Sequence, residues 1–215
     1  VPRFNRRHGI IIALLVVIAG IFAIGWHRES GELTALQEAE RARGERQLHG
    51  AQVAMIGDSI TSQGGDWSMR LGVPVANLGI SGARSGEMLR QAESLPPTIG
   101  TALVMGGIND LLGDVPPATI VANLRAVLAK LGARRIFLQS VLVTDDAATN
   151  RRVAALNTAL AGLCESGQCR FIDLNPVIAP SGILDPTLTS DGLHLSEPAY
   201  RRWAAHVAPM VKRSP

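Results

Sequence analysis

From Gln52 onward, short apolar runs alternate with amphipathic stretches. QVAMIG (Gln52–Gly57) is an apolar run closed by glycine, as expected of a strand buried on both faces. VPVANLGI (Val73–Ile80), TALVMGG (Thr101–Gly107), RIFLQSVLV (Arg135–Val143) and RFIDL (Arg170–Leu174) repeat the pattern. Helical spacing fills the gaps. Asp66 to Leu71 predicts a short helix, and Arg84 to Ser94 carries Met88 and Leu89 at helical positions. Pro116 to Leu131 places Ile120, Leu124, Val127, Leu128 and Leu131 on one face. Asn150 to Cys164 predicts a further helix, and Ser196 to Val211 the last, with Ser196 as N-cap and Pro198 in its first turn. Apolar strands alternating with helices predict an α/β domain, a parallel sheet covered on both faces. In such sheets ligands bind outside the carboxyl ends of the strands, so the residues after each strand carry the interest.

The residues before Ala51 break this pattern. Gly9 to Trp26 reads GIIIALLVVIAGIFAIGW and holds no charge. A membrane-spanning helix needs about 20 apolar residues, with a range of roughly 17–25. Arg3, Arg6 and Arg7 precede the run and Trp26 stands at its far edge, where an interfacial aromatic belongs. The expectation is a cytoplasmic segment over 1–8, a transmembrane anchor over 9–26 and an exported, periplasmic or otherwise extracytoplasmic remainder. A cleaved signal peptide is the competing reading, with Ala23-Ile24-Gly25 as a weak cleavage site. Residues 27–50 are polar apart from a hint of a stripe at Leu33, Leu36 and Ala39, and predict a solvated helical stalk. One globular domain, 51–215, remains.

Composition narrows the partners. The 215 residues carry a net charge of only +3, spread along the chain. No basic face coincides with a reading motif, which argues against nucleic acid as a partner. Cys164 and Cys169 are the only cysteines, in CESGQC. A tight turn about the central glycine brings their Cβ atoms together, and an oxidising compartment lets them pair; two free thiols are the alternative. No second Cys or His pair has metal-ligand spacing.

Four loops carry candidate chemistry. Gly57-Asp58-Ser59 follows the first strand, where a serine can present its hydroxyl and its own N–H at the open end of the sheet. A lone serine there is more often a helix cap. Asn77-Leu78-Gly79-Ile80-Ser81-Gly82 ends the second strand, and Gly79 can offer its N–H to a closely approaching substrate, or simply turn the chain. Gly106-Gly107-Ile108-Asn109-Asp110 ends the third, and the Asn109 amide is an uncharged donor suited to an oxyanion, or a turn-former. Asp191-Gly192-Leu193-His194 lies near the end of the chain. Its carboxylate can hold one imidazole nitrogen while the other takes a serine proton, provided Gly192 lets the loop turn.

In this order, GDS, a glycine turn, GxND and DxxH, the chain resembles the SGNH/GDSL hydrolase superfamily over about Gln52 to Val211. The resemblance implies a flavodoxin-like three-layer α/β/α fold with a five-stranded parallel sheet, here preceded by an N-terminal transmembrane helix. It implies Ser59 as nucleophile, Asp191 and His194 as the rest of the triad, and Ser59, Gly79 and Asn109 as the oxyanion hole. Ile108 departs from the smaller polar residue many members carry there. The implied activity is a membrane-anchored serine esterase of small acyl esters, with no cofactor. An acylated glycan or a lysophospholipid would serve as substrate. An acyltransferase with the same triad and a non-catalytic envelope glycan-binding protein are the alternatives.

Overall fold

The computed structural model describes residues 30–96 and 99–212. The expected cytoplasmic segment and membrane span, 1–26, lie outside the described residues. Among the described residues no helix is long and apolar enough to cross a membrane.

Five parallel strands form the sheet: β1 (Val53–Gly57), β2 (Val75–Gly79), β3 (Thr101–Met105), β4 (Arg135–Gln139) and β5 (Arg170–Ile172). Their order is β2-β1-β3-β4-β5, the flavodoxin-like arrangement expected. Every residue of β1, β2 and β3 is buried, which explains why their sequences run apolar without alternating. From β1 the chain crosses to β2 on one side, then returns to β3 on the other. The carboxyl end of β1 is therefore the topological switch point, where such sheets bind ligands.

In chain order the helices are α1 (residues 30–48), α2 (Ser59–Ser62), α3 (Trp67–Leu71), α4 (Ser85–Ser94), α5 (Ile108–Leu112), α6 (Pro117–Lys130), α7 (Ala147–Leu163), α8 (Asn175–Ile178) and α9 (Glu197–Lys212). The single turns α2, α5 and α8 are too short for hydrophobic periodicity to reveal. Helix α7 starts earlier than the apolar spacing predicts, because the Asp146 carboxylate caps it by accepting from Thr149 N at 2.6 Å. Strand β4 stops at Gln139, short of the predicted Val143. Beyond it, side-chain amides replace the ladder: Asn157 exchanges two 2.8 Å bonds with the Val141 backbone, and Asn175 Oδ1 accepts from Val143 N. Ser196 stands at the N-cap position of α9, its carbonyl accepting from Tyr200 N at 3.1 Å, while its hydroxyl donates to the Thr187 carbonyl.

Helix α9 packs on α3 through Trp203, fully buried and edge-on against Trp67 with ring centres 4.8 Å apart. The Trp203 indole N–H reaches Gln139 Oε1 at 2.7 Å, which satisfies the indole donor and the amide oxygen and leaves Gln139 Nε2 buried without a partner among the described residues. Cys164 and Cys169 are joined as a disulfide in the turn between α7 and β5.

The compact unit begins at Glu40 rather than at 51. Residues 40–48, expected in the solvated stalk, pack on β2. Gly44 lies so near this strand that a Cβ there would come within 2.7 Å of the Leu78 side chain and 3.1 Å of the Asn77 carbonyl oxygen. Gln47 Oε1 accepts from Asn77 N at 2.9 Å. The polar composition concealed this contact because it is made largely by polar side chains on backbone groups rather than by an apolar stripe. Leu33 and Leu36, in the segment before Glu40, are exposed.

Candidate active site

Ser59 opens α2 one residue beyond β1. The capping role that competes for such a serine belongs to Asp58, whose carboxylate accepts from Ile60 N at 3.0 Å. The Ser59 hydroxyl is thereby left for another partner. It stands 2.9 Å from His194 Nε2. On the other side of the ring, His194 Nδ1 lies 2.6 Å from Asp191 Oδ2. A carboxylate can only accept, so Nδ1 carries the proton and Nε2 is the acceptor facing the hydroxyl. Serine, histidine and aspartate form one continuous relay.

The DxxH loop is built to hold this geometry. Asp191 Oδ1 accepts from Leu193 N at 3.0 Å and from His194 N at 2.8 Å, folding the loop over its own carboxylate. Gly192 makes the turn possible with φ of 80°, and a Cβ there would sit 2.2 Å from the Asp145 carboxyl. Asp145 N donates to the Gly192 carbonyl at 3.0 Å, bracing the loop from β4's side. Helix α9, which follows the loop, is tied to α2 through Tyr200, whose hydroxyl donates to the Ile60 carbonyl at 2.8 Å. The histidine and the serine are thus registered by the same pair of helices.

Electrostatics differ sharply between the two aspartates. Partial burial pushes the Asp191 carboxyl up, but the hydrogen bonds from the His194 ring and from the His194 and Leu193 amides outweigh it and hold it well below the usual carboxylate range. Complete burial drives Asp58 the other way, up to about 7, against the lowering influence of the Ile60 N–H and of His194.

Asn109 occupies the first turn of α5, and its Nδ2 donates to the Ala83 carbonyl at 3.0 Å. That bond uses one amide hydrogen, fixes the side chain and leaves the second hydrogen free to act. Asp110, next in sequence and fully buried, accepts from Ser85 N at 2.8 Å and Ser85 Oγ at 2.7 Å. Asn109 and Asp110 therefore hold the far end of the loop that follows β2, where it enters α4.

Gly79 is not placed as expected. It is the last residue of β2, buried, and its N–H donates to Asn77 Oδ1 at 3.1 Å. It is glycine because α2 crosses directly over it: a Cβ would come within 2.3 Å of Ser62 N. Gly82, three residues on, is exposed with φ of 71° and precedes the Ala83 carbonyl that Asn109 holds. Among the described residues its N–H meets no acceptor. Of the two glycines here, Gly79 has its N–H occupied and Gly82 does not. Both stand in the same GISG segment, and sequence alone could not tell which one lies past the end of the strand.

Comparison with known proteins agrees with this arrangement. The model of the GDSL-like lipase/acylhydrolase family matches residues 55–202. Among curated proteins, N-acylneuraminate cytidylyltransferases of Streptococcus agalactiae strains are 26% identical over 109 residues, 49% of this chain and 26% of theirs. The chain spans about a quarter of the length of these relatives. Among solved structures, a Streptococcus pneumonia protein described as a platelet activating factor superposes with a TM-score of 0.76 at 22% identity, covering 88% of this chain and 99% of that one. An acylhydrolase from Bacteroides fragilis gives 0.65 at 19%, covering 74% and 85%. Axe2, an acetylxylan esterase from Geobacillus stearothermophilus, gives 0.64 at 18%, covering 77% and 98%. At these identities the likeness is one of fold.

Proposed function

The chain belongs to the GDSL-like lipase/acylhydrolase family, and from that premise we propose that it is a carboxylic ester hydrolase in which Ser59, His194 and Asp191 cleave small acyl esters through an acyl-enzyme. His194 Nε2 takes the Ser59 proton as Oγ attacks the ester carbonyl. Asp191 keeps the imidazole in the Nδ1–H form and stabilises the imidazolium that follows. The developing oxyanion is met by the N–H groups of Ser59 and Gly82 and by the free Asn109 amide hydrogen. The imidazolium then protonates the departing alcohol, and His194 activates the water that releases the acyl group. The reading is carried by the unbroken pair of hydrogen bonds, Ser59 to His194 to Asp191, at the switch point of the sheet.

For the substrate we propose a short acyl group, such as acetyl, on a sugar or other envelope component, with lysophospholipid as the lipid counterpart. Short connections support this. One residue separates β1 from α2, and two separate β3 from α5, so the serine sits at a rim formed by turns rather than beneath long loops. Acetylxylan ester is the substrate of Axe2, which shares the fold. We further propose that the apolar run 9–26 anchors the domain to a membrane on the exported side, where the disulfide persists.

The test is Ser59→Ala in the full chain. It abolishes hydrolysis of p-nitrophenyl acetate and covalent labelling by a serine-directed phosphonate. Retained turnover in that variant refutes the assignment. A panel of esters of rising chain length, beside an acetylated glycan, separates the substrate classes.

A further inference from the structure

We propose that Glu40 is a positioning residue of the oxyanion hole, acting from outside the region that the family model covers. It lies on α1, before residue 55, where that match begins. The polar helix carrying it would ordinarily leave a glutamate in water, yet Glu40 is only 5% exposed. Its carboxylate spans the two segments that supply the backbone donors. Oε1 accepts from the hydroxyls of Ser62, in a very short contact, and of Ser81, at 2.8 Å. Oε2 accepts from the Ser81 backbone N–H at 2.6 Å. Ser62 lies one turn along α2 from the Ser59 nucleophile, and Ser81 immediately precedes Gly82.

The consequence is geometric. Ser81 and Gly82 share a peptide unit whose N–H is the Gly82 donor. Gripping Ser81 at both its amide and its hydroxyl restricts the torsions that aim this unit. The same oxygen also holds α2, so the Ser59 N–H and the Gly82 N–H are referred to one carboxylate. Arg43, one turn on, donates to Ser62 Oγ at 3.2 Å and supplies positive charge beside the buried anion. Ser62 in turn is fixed from β2, its carbonyl accepting from Asn77 Nδ2 at 2.9 Å. Misplacing a preorganised donor by about 1 Å can cost on the order of 100-fold in rate. An anion dedicated to donor placement has a physical rationale at this position, because an unsecured loop with a left-handed glycine would otherwise sample several orientations.

This inference rests on the proposed Ser59 mechanism, and its test separates the two. Full-length wild type, Glu40→Ala, Glu40→Asp and Glu40→Gln are compared with p-nitrophenyl acetate. Turnover is expressed per serine labelled to completion by phosphonate, so that loss of folded protein does not count. Affinity for a trifluoromethyl ketone, which forms a tetrahedral adduct on the serine, is measured in parallel. Glu40→Ala is expected to lower kcat per labelled site about 10- to 100-fold with KM within about twofold, and to lose ketone affinity by a similar factor. Glu40→Gln recovers most of the activity, since its amide oxygen can accept from the Ser81 N–H while its NH2 donates to the two hydroxyls. If Glu40→Ala does not fold, Glu40→Asp decides: it keeps the charge, withdraws the carboxylate by one methylene, and should lower kcat at least about fivefold on the same reasoning. Unchanged kcat per labelled site in the folded variants overturns the proposal and leaves the triad standing. A wild-type chain without Ser59-dependent turnover overturns both.

Discussion

Replacing Asn109 by alanine separates catalysis from stability more cleanly than any other change at this site. On the proposed mechanism the amide does two jobs. One Nδ2 hydrogen is committed to the Ala83 carbonyl at 3.0 Å, and the other is available to the oxyanion. Loss of the first leaves a partly buried carbonyl without that donor, worth about 1 kcal/mol of stability, a shift of a few degrees in melting temperature. Loss of the second removes one donor from the transition state and not from the ground state, where the ester oxygen carries no full charge. Such a loss costs about 10²–10³ in kcat, or roughly 2.7–4 kcal/mol. Asn109→Ala is therefore expected to melt close to wild type, bind substrate with a similar KM and turn over at least 100-fold more slowly. Steady-state hydrolysis of p-nitrophenyl acetate beside thermal denaturation reads both quantities. Asn109→Asp should be slower still, because a carboxylate cannot donate and repels the developing charge. A folded Asn109→Ala enzyme within threefold of wild-type kcat refutes the oxyanion assignment.

Three other outcomes follow from the same geometry. Burial holds Asp58 neutral up to about pH 7 in the folded chain, whereas it ionises near 3.8 once unfolded. The stability it contributes is therefore full below the unfolded value and is lost as pH rises toward the folded one. Asp58→Asn keeps an acceptor for the Ile60 N–H and should remove that decline; melting curves of the two proteins that run parallel from about pH 4 to 8 would contradict it. Gly79→Ala forces a Cβ to within 2.3 Å of the Ser62 backbone nitrogen and should cost about 1–3 kcal/mol or more, measured by denaturant titration; Gly82→Ala places a side chain at φ of 71°, a left-handed strain of about 1 kcal/mol. Reducing the Cys164–Cys169 bridge, which closes a loop of sequence separation 5, should lower stability by about 2 kcal/mol on the chain-entropy model. Esterase activity should persist after reduction, since the bridge lies before β5, at the end of the sheet away from Ser59; a parallel loss of turnover would refute that placement.

Much of this protein was legible in one dimension because its signals are local. A strand buried on both faces must be apolar at every position, so VAMIG, VANLG and TALVM announce themselves without a structure. Ser59, Asn109 and the Asp191–His194 pair were legible because each follows a strand or fills a short glycine turn, where chemistry sits in a parallel sheet. What stayed hidden was set by contacts between distant segments. Whether Gly79 or Gly82 offers its N–H depended on where β2 leaves the sheet and on α2 crossing above it, which the sequence of that loop does not encode by itself. Glu40 read as a solvated charge because a helix pattern records which faces are apolar, not which carboxylate will find three donors on another part of the chain. The sequence alone determined the strand series and the reactive groups, since burial and side-chain chemistry are written residue by residue. Tertiary structure alone decided which backbone groups are occupied, which side chains meet and where the compact domain begins, since a hydrogen bond has direction and its partner is chosen only when the chain has folded.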